Sequence, residues 1–142
     1  MSKIYFSLGE ANEMVQQIKH QIEKLACLRD ELELLDNTKI EFDVESIENY
    51  LLEVELNRNF HEKSLEVYTI LGNLIKDGAI VRNLDDLEVD FYSKLNNKDI
   101  VFCWQLGQDK INFWHYPSED KKLKRQIKEI EKQYMDKLKE FR

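Results

Sequence analysis

The 142-residue sequence contains one proline, four glycines and two cysteines, and each scarcity excludes a class of protein. So little proline and glycine argues against a low-complexity or disordered chain. Cys27 and Cys103 stand far apart in the sequence, so we expect neither a disulfide framework nor a zinc motif, and a reducing compartment is predicted. No apolar run approaches the ~20 residues that span a membrane, and the first residues lack the pattern of a signal peptide. We therefore expect a soluble cytoplasmic protein with one domain, residues 1–142, and no membrane association.

Motifs of common enzyme sites are missing as well. None of the four glycines has the spacing of a dinucleotide-binding or phosphate-binding loop. The sequence has no HExxH and no paired CxxC, which would indicate metal binding. We therefore predict no cofactor and no metal.

Charge is plentiful but unevenly distributed. The net charge is −7, yet residues 121–142 hold nine Lys or Arg and only four Asp or Glu, which leaves −12 on the remainder. An acidic body repels nucleic acid at long range, so the basic end is predicted to form ion pairs with the acidic helices instead. A weaker alternative is a nucleic-acid accessory role for the basic residues Lys121, Lys122, Lys124, Arg125 and Lys128.

Two long helices are predicted over residues 7–78. Ser7 and Glu10 form a capping-box pattern at the start of the first. Apolar residues then recur three and four apart, with the period near 3.5 that is typical of a coiled coil, at Leu8, Ala11, Val15, Ile18, Ile22, Leu25, Leu28, Leu32 and Leu35. The second helix is predicted from near Asp43 to a C-terminal cap at Gly78, with a stripe of Ile47, Leu51, Val54, His61, Leu65, Tyr68, Leu71 and Ile75.

The predicted hairpin is long for a chain of this size. About 30 residues per helix give a length of about 45 Å, whereas a compact globule of this chain would be just under about 40 Å across. We therefore expect a partner for the helices, a second copy of the chain in a homodimer or another protein. His61 within the stripe is interpreted as a polar layer that fixes the pairing, or alternatively as a metal site shared with its symmetry mate.

From Ala79 the apolar period changes to two, which predicts a three-stranded antiparallel sheet over residues 79–116. A four-residue turn at 107–110 would place Trp104 opposite Phe113 and Phe102 opposite His115, on the face toward the helices. Cys103 would lie opposite Trp114 on the other face, and His115 would point away from Cys103. That second face is half apolar, so we expect the terminal helix, a second subunit or a ligand to cover it.

An amphipathic helix is predicted over residues 118–142. Ser118 and two acidic residues after it form a helix start. One apolar stripe follows at helical spacing: Leu123, Ile127, Ile130, Tyr134, Leu138 and Phe141. The expected fold is therefore α+β, a helical hairpin followed by a sheet and a docked basic helix.

Several stretches of this sequence resemble a prokaryotic family called domain of unknown function 2203. They are residues 5–12, 78–84, 87–91, 102–107 and 111–115, with paired Cys-Trp and Trp-His motifs in the last two. The resemblance covers residues 5 to about 116 and implies no activity, cofactor or substrate. Asp86 and Tyr92 stand where the family usually has glycine and proline, and Tyr116 begins a different segment from the family's usual Gly-Phe-Ala-Gly-Arg. If that arginine loop binds an anion in relatives, this chain has lost it.

Two functions remain open on the sequence alone. The first is a non-enzymatic interaction protein that self-associates through its long helices. The alternative is an enzyme or a small-ligand-binding domain with a pocket on the sheet, lined by Asp90, Cys103, Trp104, Trp114 and His115. Under the first interpretation Cys103 is a small buried apolar residue and both tryptophans belong to the core.

Overall fold

Two antiparallel helices precede a five-stranded antiparallel sheet in the computed structural model, which describes residues 3–38, 46–117 and 124–127. The helices are α1 (Leu8–Asn37) and α2 (Ile47–Lys76), with 30 residues each. The sheet has the order β1-β2-β3-β4-β5, and its strands are β1 (Ile80–Asn83), β2 (Glu88–Leu95), β3 (Lys98–Gln105), β4 (Phe113–His115) and β5 (Arg125–Gln126). The predicted α+β class and helical hairpin are thus confirmed, whereas the prediction of three strands is wrong.

The ends of the helices follow the capping signals. Ser7 accepts a hydrogen bond from the Glu10 backbone N–H, and the Glu10 carboxylate accepts one from the Ser7 N–H, which completes the predicted capping box. Ser46 caps α2, three residues after the predicted start at Asp43, which lies outside the described residues. Gly78 follows the C-terminal cap of α2 with φ +92°, the left-handed conformation that glycine adopts at lowest cost.

The two helices bury different parts of their apolar patterns. On α1 the predicted stripe is buried, at Ala11, Val15, Ile18, Ile22, Leu25 and Leu28. On α2 the buried side chains are Val67 and Leu74. Most of the stripe predicted for α2 is exposed, because α2 presents a different side to α1. We call the exposed apolar residues of that pattern the α2 stripe: Ile47, Leu51, Val54, Leu65, Tyr68 and Ile75.

The C-terminal part of the sheet corrects the prediction of a helix over 118–142 at residues 125 and 126, which form a strand. Arg125 and Gln126 pair with Trp114 and Phe113 as β5, and the Ile127 N–H donates to the Asn112 carbonyl at 2.9 Å. A strand of two residues is too short to leave an alternating apolar pattern, so the helical spacing of the surrounding apolar residues decided the prediction. No C-terminal helix is seen in the described residues, and residues 118–123 and 128–142, which hold the rest of the predicted stripe, lie outside them.

The pairing of β3 with β4 differs from the predicted register by one residue. Val101 pairs with His115, Phe102 with Trp114 and Cys103 with Phe113. The predicted pairs of Trp104 with Phe113 and of Phe102 with His115 are therefore wrong. A one-residue shift moves every side chain of β4 to the opposite face, so it decides which groups meet.

The shift arises in the connection between β3 and β4. This connection spans residues 106–112 and is longer than the predicted four-residue turn. The Leu106 N–H donates to the Leu87 carbonyl, and the Ile111 N–H donates to the Asn12 side chain on α1. The first bond continues the pairing of β3 with β2, and the second anchors the end of the connection on α1, just before β4 begins at Phe113.

One face of the sheet joins the helices in the main hydrophobic core. Its large side chains are Val89, Phe91, Leu95, Ile100, Phe102, Trp104 and Trp114, which cluster with the buried stripe of α1. Phe6 packs edge-on against Phe91, and its N–H donates to the Tyr92 carbonyl at 2.8 Å. The opposite face carries the polar groups described below. Neither α1 nor α2 is apolar enough over a sufficient length to cross a bilayer.

Candidate functional site

Three of the predicted site residues meet on the face of the sheet opposite the helices. Cys103 pairs directly with Asp90 across β2 and β3, and His115 lies two positions along the neighbouring strand from the partner of Cys103. One ligand-type atom from each side chain lies within 4.8 Å of the other two. All three residues are buried. The prediction that His115 points away from Cys103 is wrong, because the register places both on one face.

Arg82 contributes the positive charge of this group. Its Nε lies 3.2 Å from Asp90 Oδ2, and its guanidinium also lies 3.3 Å from His115 Nε2. Strand β1 carries Arg82 beside β2 at the sheet edge, and the Arg82 side chain is 30% exposed. No sequence motif marks Arg82 as a site residue. A basic residue after two apolar ones in β1 is a weak indication of a site, since the same pattern occurs in edge strands whose charged side chains face solvent.

The protonation of His115 follows from its neighbours. Its Nδ1 lies 2.7 Å from the Tyr116 carbonyl, which can only accept, so Nδ1 carries the proton and donates. In the neutral ring the lone pair is then on Nε2, which faces the Arg82 guanidinium. A backbone carbonyl thus fixes both the tautomer and the orientation of the ring.

Burial shapes the acid–base behaviour of the other two groups. Burial raises the pKa of the Asp90 carboxyl, while Arg82 and His115 oppose that rise. Burial, followed by the Asp90 charge, raises the pKa of the Cys103 thiol to about 12. The thiol therefore stays protonated near neutral pH, which disfavours it as a nucleophile because the thiolate is the reactive form.

The two tryptophans do not join this group. Trp104 lies in the core, and its Nε1 donates to the Gln108 carbonyl at 2.9 Å. Trp114 is also a core residue, 2% exposed, and packs edge-on against Tyr116 with the Arg125 guanidinium 5.2 Å from its ring centre. The prediction that Trp114 lies beside Cys103, on the opposite face from Trp104, is wrong.

A second pair of charges lies next to the group. Lys124 contacts a Glu88 carboxylate oxygen at 3.4 Å, which ties the segment before β5 to β2. Glu88 and Cys103 also line a small cleft of about 90 Å³ with Lys124. A cleft of this size has room for a few water molecules or an ion, but it is far smaller than the ~300 Å³ that an ordinary metabolite pocket needs.

The α2 stripe is the other candidate site. Its six side chains are large and apolar, and their exposure reaches 77% at Ile47 and 71% at Tyr68. Scattered exposed apolar residues are normal, whereas a row of them along one helix face, here divided by Arg58 and His61, is typical of an interaction surface. His61 lies in the same pattern and is exposed too.

The comparisons with known proteins concern the family alone. No curated protein and no solved structure matches this chain. A family model described as "Uncharacterized conserved protein (DUF2203)" matches residues 4–127, which include both helices, all five strands and the Asp90–Cys103–His115 group. This match confirms the resemblance inferred from the Cys-Trp and Trp-His motifs. The chain belongs to the DUF2203 family of uncharacterized conserved proteins.

Proposed function

We propose that this protein is a non-enzymatic interaction protein that forms a homodimer by pairing α2 with α2 of a second copy. The observation that carries the proposal is the α2 stripe, a row of large apolar side chains left in water along a 30-residue helix. Covering such a row removes apolar surface from water, which favours association.

The spacing of the exposed face supports a helical partner. Ile47, Val54, His61, Tyr68 and Ile75 recur at intervals of seven residues, and Leu51, Arg58, Leu65 and Gly72 form a second series of the same period. Two interleaved seven-residue series are the pattern of a coiled-coil seam. The opposite side of α2 already packs on α1, so this seam is available to another helix.

The arrangement is also self-complementary. Ile47 and Ile75 stand fourteen residues before and after His61, and Val54 and Tyr68 stand seven before and after it. An antiparallel copy centred on His61 therefore places the apolar residues of this first series against one another, as a two-fold axis requires. A parallel copy would bring the two Arg58 side chains together and incur charge repulsion, so the antiparallel pairing is favoured.

The mass in solution tests the proposal. Light scattering at tens of micromolar should give twice the 17.1 kDa of one chain. Val54→Glu should give a monomer with unchanged helix content, since Val54 is exposed in the single chain and has no core contact to lose. The matched control is Asn59→Glu, an added charge on an exposed α2 residue outside the seam, and it should remain a dimer. A wild-type mass near that of one chain would contradict the proposal.

A second candidate function is the binding of a small ligand on the sheet. The gathering of Asp90, Cys103 and His115 favours it, whereas the burial of both tryptophans removes the apolar lining expected of a metabolite pocket. A ligand of a few atoms is the kind that this group supports.

A further inference from the structure

We propose that Asp90, Cys103 and His115 bind one divalent transition-metal ion of the zinc class. This inference is independent of self-association, because the three residues lie on β2, β3 and β4 and the α2 stripe lies on the helices. It departs from the expectation of no metal, which rested on sequence spacing: the three proposed ligands come from three strands, and local spacing cannot reveal such a set.

The donor set suits zinc. A thiolate sulfur, an imidazole nitrogen and a carboxylate oxygen are the three ligand types that Zn²⁺ takes from proteins. Hard cations such as Mg²⁺ and Ca²⁺ prefer oxygen alone, so a cysteine and a histidine in the set disfavour them. Three protein ligands would leave a fourth position for water.

The ring of His115 already has the tautomer and the backbone contact that are typical of a metal-bound histidine. The Tyr116 carbonyl accepts the Nδ1 proton, and the lone pair of Nε2 faces the Arg82 guanidinium, which is itself paired with Asp90. A backbone carbonyl on the remote nitrogen is a recurrent second contact of metal-bound histidine, since it fixes the tautomer and raises the basicity of the ligand atom.

Asp90 provides an independent sign of a missing ligand. Asp90 is only 6% exposed. Its Oδ2 is paired with Arg82, but its Oδ1 has no hydrogen-bond partner among the described residues. The neighbouring Cys103 thiol is only a weak donor, so it does not replace a full partner. Buried carboxylate oxygens are nearly always satisfied, and a cation at Oδ1 would satisfy this one.

The geometry requires a small contraction. Ligand atoms around a tetrahedral zinc ion, with bonds of ~2.0–2.3 Å, lie about 3.3–3.8 Å apart. The atoms here lie within 4.8 Å of one another, so side-chain movements of about 1 Å close the site. The positions on neighbouring strands are already correct.

Arg82 is the competitor of the metal. Its guanidinium contacts both Asp90 and His115 and supplies the positive charge that a metal ion would otherwise bring. The long, partly exposed side chain lies at the edge of the sheet and can turn outward to solvent. When the ion binds, the Cys103 thiol gives its proton to solvent, the sulfur donates an electron pair to the ion, and Arg82 leaves Asp90.

The test uses Co²⁺ as a spectroscopic substitute for Zn²⁺ on the full-length protein after treatment with a chelator. We expect one equivalent of Co²⁺ to produce a thiolate-to-cobalt charge-transfer band, which Zn²⁺ then abolishes by displacement. Cys103→Ser should eliminate the band, and the matched control Cys27→Ser, at the exposed cysteine on α1, should retain it. His115→Gln should weaken Co²⁺ binding at least about tenfold, and His20→Gln, at an exposed histidine, should not change it.

Substitution of Arg82 distinguishes a metal site from a purely structural network of charged groups. Arg82→Gln should bind Co²⁺ more tightly than the wild type, because the competing charge is gone. Zn²⁺ should raise the melting temperature of the wild type and of Arg82→Gln, but not that of Cys103→Ser. Absence of the band together with an unchanged melting temperature in excess Zn²⁺ would overturn the proposal, and so would a band that depends on Cys27. If Cys103→Ser fails to fold, Asp90→Asn and His115→Gln apply the same test.

Discussion

The backbone N–H of Ile111 donates a 2.9 Å hydrogen bond to the side-chain oxygen of Asn12, in the second turn of α1. Ile111 itself is buried, 1% exposed. The bond joins the loop between β3 and β4 to the helical layer and fixes where β4 can begin. The loop that leads into β4, and so to His115, is thus anchored by a helix residue about a hundred positions away.

Asn12→Ala should therefore loosen this loop. Removing the acceptor leaves a partly buried N–H without its partner, which costs about 1–3 kcal/mol of unfolding free energy. Hydrogen exchange at the Ile111 amide should accelerate markedly, as read by NMR. Asn12→Asp keeps an acceptor and should keep the protection, and Gln16→Ala, whose contact with Asp109 is exposed, should have little effect. Equal protection in the wild type and in Asn12→Ala would contradict this role.

The sequence predicted the elements with local signals and missed what distant contacts decide. The capping box at Ser7, the buried stripe of α1 and the glycine at 78 each act within a few residues, so pattern alone located them. The loop before β4 is anchored by Asn12, and β5 pairs with the edge of β4. Neither contact leaves a periodic trace in the sequence. The one-residue error in the register of β4 placed His115 on the wrong face of the sheet, and so separated it from Cys103.

The two core tryptophans should respond differently to replacement by phenylalanine. Trp104→Phe loses the bond to the Gln108 carbonyl and should destabilise the fold by about 1 kcal/mol beyond the change in packing. Trp114 Nε1 is buried without a hydrogen-bond partner among the described residues, so Trp114→Phe removes an unsatisfied donor and should cost less. Urea denaturation of both variants measures the difference. A larger loss for Trp114→Phe would mean that its indole has a partner in solution.

Gly78→Ala should be strongly destabilising. The glycine has φ +92°, and an added Cβ would lie 2.6 Å from the Phe6 ring, so alanine meets both backbone strain and a clash. The matched control is Gly9→Ala in the first turn of α1, where no atom lies within 4 Å and alanine favours the helix by up to about 1 kcal/mol. Thermal unfolding should therefore shift down for the first variant and up for the second. Similar shifts for both would refute the close approach of Phe6.

The two cysteines should differ in reactivity and in their effect at alkaline pH. Near pH 8 a thiol reagent should modify exposed Cys27 and spare buried Cys103. In metal-free protein the pKa of Cys103 is about 12 against an ordinary 9, so the folded state keeps a proton that the unfolded chain loses. Stability should accordingly fall as pH rises from about 9 toward 12. Cys103→Ala should flatten that fall, whereas Cys27→Ala should leave it unchanged.

His61→Leu should strengthen the proposed dimer. An antiparallel pair centred on His61 brings the two imidazoles together, and a polar layer in an apolar seam lowers association while fixing the register. Leucine would add apolar contact at the same point, so the dissociation constant measured by sedimentation should fall. Weaker association in this variant would show that His61 makes a favourable contact across the interface.

The contact of residues 5 and 6 with β2 bears on how the protein unfolds. Tyr5 bridges to Tyr92, and Phe6 bonds to the same strand, so this contact closes a loop of more than eighty residues around both helices. Closing so long a loop has a high entropic cost, whereas the β2–β3 hairpin closes over a few residues. The contact of residues 5 and 6 with β2 is then expected to form last in folding and to open first in unfolding, while the rest of the fold stays intact. Its release would uncover Phe91 and the edge of β2 beyond β1 while the hairpin stays intact, so the earliest damage under thermal or mechanical stress would begin at this end of the sheet.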